Sequence, residues 1–182
     1  MKRLFLAAFL ALACLPALAT EAGWALLRNG GQVVLLVHAD APGTGDPANF
    51  DIENCRTQRN LSDRGRQQAR RIGALFAARA APVEEVLTSR WCRTRETATL
   101  AFGDSLVEDF EALDPPGEDG GTAQLAEIAA RALDYTGSGT LVMVTHVDNV
   151  SAWLGVRPRQ GEALIVSSDG ETLSLSGRIV FN

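Results

Sequence analysis

Only two histidines occur in this chain of 182 residues, His38 and His146, and each ends an apolar run. The first run is Gln32-Val33-Val34-Leu35-Leu36-Val37-His38, and the second is Thr140-Leu141-Val142-Met143-Val144-Thr145-His146. Short, uniformly apolar, β-branched runs predict strands buried on both faces, as in a parallel sheet. Functional crevices in such sheets lie beyond the carboxyl ends of the strands. If the two strands are neighbours, roughly 4.8 Å apart, both imidazoles share one crevice. Arg93 falls just past a third apolar run, where a helix is expected to begin. Free backbone N–H groups and a guanidinium at that place suit a phosphate dianion. Two imidazoles and an arginine fit phosphoryl transfer, one histidine attacking phosphorus while the others neutralise its oxygens. That chemistry needs neither a metal nor a redox cofactor. Zinc ligation by His38, His146, Cys55 and Cys92 is disfavoured, because none of the usual short ligand spacings is present.

The elements that must position these residues follow from the pattern. Strand 32–38 leads into a long polar segment, 40–60, containing Pro42-Gly43-Thr44-Gly45-Asp46-Pro47. Loops of that length in a compact domain are usually functional. Ser62 is expected to cap the next helix, with Asp63 in its first turn. Ala69, Ile72, Gly73 and Phe76 recur at helical spacing and predict its buried face, and Pro82 is expected to end it. A strand over 83–89 and a helix over 92–102 follow. Residues 104–121, acidic and rich in Pro and Gly, read as a loop or flap. Leu125, Ile128, Ala129 and Ala132 mark another helix, then come strand 140–146 and a short helix over 149–154. Strands near 162–168 and 172–181, with Asp169-Gly170 between them, predict a closing hairpin. The fold class expected is α/β, a three-layer sandwich with a mostly parallel central sheet. Trp91 and Trp153 are expected to be packing residues.

The start of the chain predicts a destination. Met1-Lys2-Arg3, an apolar stretch over 4–15 and Ala17-Leu18-Ala19 form a secretory signal peptide cleaved after Ala19. The domain plan is therefore a signal peptide, 1–19, and one domain, 20–182, placed in the periplasm or secreted. Lipoprotein processing before Cys14 fits less well, because Ala11 stands where leucine is favoured. The apolar stretch is too short for a permanent span, so no stable membrane insertion is expected after cleavage. The mature chain keeps 15 basic residues, all arginine, against 22 acidic ones, a net charge of −7. That balance disfavours non-specific nucleic-acid binding. Cys55 and Cys92 are the two cysteines left after cleavage, and an even count in an exported protein favours a disulfide over free thiols.

Four segments together resemble the histidine phosphatase superfamily, also called phosphoglycerate mutase-like proteins. Leu35-Leu36-Val37-His38-Ala39 falls where the family has R-H-G or R-H-A. Asn60-Leu61-Ser62-Asp63-Arg64-Gly65-Arg66-Gln67-Gln68-Ala69 is similar to its L-[ST]-x-x-G-x-x-Q-A helix start. Thr88-Ser89-Arg90-Trp91-Cys92-Arg93-Thr94-Arg95-Glu96-Thr97-Ala98 is similar to S-S-x-x-x-R-x-x-[QE]-T-A, and Val144-Thr145-His146 matches the second-histidine strand. The resemblance runs from about Trp24 to Phe181. It implies His38 as the phosphorylated nucleophile, Arg93 as a phosphate ligand and His146 as the second pocket histidine. The 42–60 loop with Cys55 resembles an exported branch that includes lipopolysaccharide-core heptose phosphate phosphatases.

That resemblance implies a monomeric phosphomonoester hydrolase acting on a phosphorylated small molecule or envelope sugar phosphate. One departure bears on activity: Val37 stands where the family has arginine. A guanidinium from Arg56, Arg59, Arg90 or Arg95 could replace it. Otherwise the enzyme is slow, or the chain is a catalytically impaired binder of a phosphorylated sugar or envelope ligand. Loss of one pre-organised donor typically costs on the order of 10²–10³ in rate. Arg59 is equally a pocket residue or a loop brace. The leaving oxygen needs an acid, for which Glu108, Asp109, Glu111, Asp40 and Asp148 are candidates.

Overall fold

The structure, a computed structural model, describes residues 15–117, 121–168 and 172–181. The helices are α1 (Leu15–Arg28), α2 (Asp63–Ala78), α3 (Cys92–Phe102), α4 (Thr122–Leu133) and α5 (Val147–Leu154). The strands are β1 (Gln32–Val37), β2 (Val83–Thr88), β3 (Val107–Asp109), β4 (Thr140–Thr145), β5 (Glu162–Ser168) and β6 (Leu173–Val180). They form one sheet in the order β3-β2-β4-β1-β5-β6. The β2–β3, β2–β4 and β1–β4 pairs are parallel, and the β1–β5 and β5–β6 pairs antiparallel. The sheet is thus mostly parallel, as expected.

Alternation along β1 divides the core. Val34 and Leu36 face a cluster with Trp24, Ile72 and Phe76, while Val33, Leu35 and Val37 face one with Ile128, Met143 and Val150. Helices cover both faces, which is why the central strands are apolar throughout. α2 starts as expected, with the Gly65 backbone N–H donating to Ser62 Oγ at 3.0 Å. A Cβ at Gly73 would lie 1.9 Å from the carbonyl oxygen of Ala101, so a bare backbone is what lets α2 cross α3 this closely. Gly73 is only half-buried, and Gly65 joins Ala69, Ile72 and Phe76 as the buried residues of α2.

Two further expectations are corrected. The 104–121 segment contains an edge strand, β3, paired with β2 from Val86↔Val107 to Thr88↔Asp109. Its three residues are half-buried or exposed, so it carries no apolar run to betray it. Helix α2 stops at Ala78, before Pro82, and Ala80 turns the chain at φ 52°. Residues 20–28 belong to α1, which seats Trp24 and Leu27 in the core. The predicted cleavage point therefore lies inside α1, and the core residues lie on its mature side. The Asp169-Gly170 turn falls outside the described residues, but its flanking strands pair as a hairpin should. Among the described residues no helix is long and apolar enough to cross a membrane.

Candidate active site

β1 and β4 are neighbours, and Val37 pairs with Thr145, so their following histidines emerge at one level. The two ring centroids are 5.6 Å apart. The backbone N–H of His38 still donates to Thr145 O at 3.0 Å, extending the ladder by one bond. Nδ1 of His38 lies 2.8 Å from the carbonyl oxygen of Ala39. A carbonyl only accepts, so Nδ1 carries the proton and Nε2 keeps its lone pair. Ala39 is held by its N–H donating to Thr97 Oγ1, whose hydroxyl donates to Arg93 O. Burial lowers the pKa of His38 to about 4; the charges of Arg93 and Arg59 push the same way, against the Ala39 hydrogen bond. The ring is therefore neutral at pH 7.

Arg93 sits in the first turn of α3 and is 4% exposed. Its Nη2 is 3.3 Å from His146 Nδ1. Guanidinium cannot accept, so Nδ1 is the acceptor and Nε2 bears the ring proton. That proton is donated to Ser89 Oγ at 2.9 Å, and the Ser89 hydroxyl donates to Asp114 Oδ1 at 2.9 Å. Asp114 is anchored by the backbone N–H and Nε of Arg90. His146 thus braces Arg93 through a relay that ends on a buried carboxylate. Burial, then Arg93, His38 and Arg59, hold its pKa well below the usual value. Burial also draws the pKa of Arg93 down to about 10, which leaves it a cation.

The long loop closes the pocket. Asp46 accepts from Arg93 Nη1 at 3.0 and 3.2 Å, from Trp91 Nε1 at 3.1 Å and from the backbone N–H of Arg59 at 2.9 Å. Burial opposes ionisation of Asp46, but the Arg59 N–H and the charge of Arg93 hold its carboxyl below the usual range. Arg59 donates Nη1 to Ala41 O, and its charge reaches both histidines. A disulfide, Cys55–Cys92, with Cα atoms 5.7 Å apart, fastens the loop to α3 beside Arg93. Gln58 reinforces it by accepting the Cys92 N–H at 2.9 Å. The Nε–H groups of Arg59 and Arg93 are buried with no acceptor among the described residues. An oxyanion, rich in acceptors, would suit such a deficit.

His38, His146, Arg93 and Arg59 are thus brought together. Arg90 is committed to Asp114 and Glu111, and Arg95 to Asp109. Arg56 is exposed beside Cys55, Arg66 and Thr99 in a cleft of ≈ 510 Å³ on the outer side of α3. Val37 is fully buried in the apolar cluster of Ile128 and Val150. Of the acids, Glu108 lies exposed on edge strand β3, three strands out from β1. Asp40 accepts from Ser62 Oγ at the start of α2. Asp148 is exposed in the first turn of α5, yet its charge is felt by Arg93. Sequence reasoning did not single out Asp46, Ser89 or Asp114 as site residues. Ser89 stood in a quoted motif, whereas Asp46 in a Gly-Thr-Gly-Asp-Pro run carries no periodicity that marks it.

A neutral buried His38 has a stability cost in acid. Unfolded, it titrates near 6.5; folded, near 4. Between those values the unfolded chain binds more protons, so stability falls as pH drops from 6.5 to 4 and levels off below. His38 alone accounts for on the order of 3 kcal/mol, and His146 adds in the same direction. Urea midpoints measured across this window should fall steeply for the wild-type chain and less steeply for His38→Asn.

No protein-family model matches the chain, and no curated protein matches it in sequence. Solved structures do match. The protein histidine phosphatase SixA complexed with tungstate is 18% identical at a TM-score of 0.62, over 81% of this chain and 96% of that one. A mutant phosphoserine phosphatase from Entamoeba histolytica, in complex with phosphoserine, is 12% identical at 0.62, over 83% and 98%. YhfR of Bacillus stearothermophilus is 16% identical at 0.60, over 80% and 95%. At such identities the likeness is one of architecture. This chain has the fold of the histidine phosphatases.

Proposed function

We propose that the chain hydrolyses phosphomonoesters through a phosphohistidine on His38. The observation that carries this reading is the fixed tautomer of His38: Nδ1–H is spent on Ala39 O, and Nε2 is left as a lone pair beside the Arg93 and Arg59 charges. Nε2 attacks phosphorus, the ester P–O bond breaks, and the two guanidiniums offset charge on the phosphoryl oxygens. Water then cleaves the N–P bond and releases phosphate. Arg59, supplied by the loop, takes the role left open by Val37. The fold neighbours support a phosphoryl substrate, since one is a protein histidine phosphatase and another was captured with phosphoserine. We further propose that the protein is exported after cleavage following Ala19, acts as a monomer, and meets a phosphorylated small molecule such as an envelope sugar phosphate.

A second reading, a binder of phosphorylated ligands without turnover, is favoured by Val37, whose side chain lies in the apolar core. Rapid quench with an aryl ester labelled in its phosphoryl group separates the two. The hydrolase reading expects acid-labile, alkali-stable label on the wild-type chain and none on His38→Ala. Phosphate binding without label would select the binder.

A further inference from the structure

Asp46 stands on the cation that a phosphoryl group requires. Both of its oxygens meet Arg93 Nη1, the Trp91 indole N–H holds Oδ2, and the Arg59 backbone N–H holds Oδ1. Arg93 is 96% buried, so it has little room for a second anion on the same edge. Of the other candidate acids, Asp40 is committed to Ser62, Asp109 to Arg95 and Glu111 to Arg90, Glu108 is exposed on the sheet edge, and Asp148 is exposed and reaches Arg93 through its charge rather than a hydrogen bond. Asp46 is also carried by a loop, which can yield without disturbing the sheet. The Arg93 charge and the Arg59 backbone N–H act on Asp46, and the Asp46 charge in turn acts on His38.

We propose that an incoming phosphomonoester displaces Asp46 from Arg93, and that Asp46 then donates a proton to the leaving oxygen. The inference rests on the phosphohistidine reading above. Once displaced, the carboxyl loses its cation and faces the ester's negative charge, two changes that both favour its protonated form. The proton comes from solvent or from the ester monoanion, whose second ionisation lies near pH 6. His38 Nε2 forms the N–P bond as the P–O bond breaks. The electron pair of that bond and the Asp46 proton both go to the leaving oxygen, which departs as an alcohol. Asp46, again a carboxylate, takes a proton from the water that attacks the phosphohistidine, and the N–P electron pair returns to Nε2. Two environments give one carboxylate two roles, a guard of Arg93 when the pocket is empty and an acid when it is filled.

The test compares Asp46→Asn and Asp46→Glu with the wild-type chain. Inorganic phosphate, followed by titration calorimetry, is expected to bind Asp46→Asn on the order of tenfold more tightly, because the competing charge is gone. The ratio of phosphate release from an unactivated alkyl ester to that from p-nitrophenyl phosphate should fall about 10²-fold, since a good leaving group needs no acid. Asp46→Glu, which keeps a proton donor, should recover part of that ratio. Phosphate binding that is weaker or unchanged in Asp46→Asn overturns the proposal, and so does an equal loss with both esters. If the wild-type chain releases no more phosphate than His38→Ala, the hydrolase reading fails and proton donation falls with it. The exchange at Arg93 then stands or falls on the phosphate titration alone.

Discussion

His38→Ala is expected to lower phosphate release from an activated aryl ester by a factor of about 10⁴ or more. On the phosphohistidine reading, the substitution removes the nucleophile of a two-step mechanism and forces direct attack by water, and in such machinery a single loss costs nearly as much as losing the whole set. The residue left behind is small, so the pocket keeps its walls: His146 still braces Arg93, and Arg59 remains fastened to Ala41. Inorganic phosphate should accordingly still bind His38→Ala, since the Arg93 and Arg59 guanidiniums are untouched. This pairing gives the prediction its force. A fall in turnover with phosphate affinity retained assigns His38 to chemistry. Loss of both would make it a structural residue of the β1 end, and retention of both would place the chemistry elsewhere. Measurement of steady-state phosphate release beside calorimetric phosphate binding distinguishes these results.

Removing the Cys55–Cys92 disulfide is expected to cost about 4 kcal/mol of stability. The bond closes a loop spanning a sequence separation of 37, and the entropy denied to the unfolded chain grows with the logarithm of that length. The 40–60 segment that the bond fastens has few other anchors to α3. Its regular structure is one 3₁₀ turn, Cys55–Thr57, with no buried residue. Gln58, reaching the Cys92 N–H, and Asp46, reaching Arg93, are its main ties to α3. Cys55→Ala/Cys92→Ala should therefore lower the urea midpoint strongly and steepen the slope, because the unfolded chain expands further. A loss below about 1 kcal/mol would mean that the loop ends stay close in the unfolded chain without the bond. Activity should fall too, as Arg59 and Asp46 ride on the released segment. The disulfide in this way links the fold's stability to the geometry of the pocket.

The chain pattern alone determined the architecture and three of the four pocket residues. Central strands announce themselves because burial on both faces demands an unbroken apolar run, and β1 and β4 have one. Their histidines stand out because a polar residue ending such a run must meet either a partner or a cavity. Arg93 was legible from its place at the start of a helix after β2, and Ser62 from capping chemistry that acts within three residues. Only the tertiary structure decided the rest. β3 is too short and exposed to carry a pattern, and it exists because the edge of β2 offers it hydrogen-bonding partners. Which arginine joins the pocket could not be read locally. Arg56, Arg59, Arg90 and Arg95 are alike in type, and the choice came from the acids that captured Arg90 and Arg95 and from a loop path that leaves Arg56 exposed. Asp46 was hidden for the same reason: its partners, Trp91 and Arg93, are more than forty residues away. Periodicity reports what a residue buries against its own element, whereas charge pairing across a loop depends on where the whole fold brings that loop to rest.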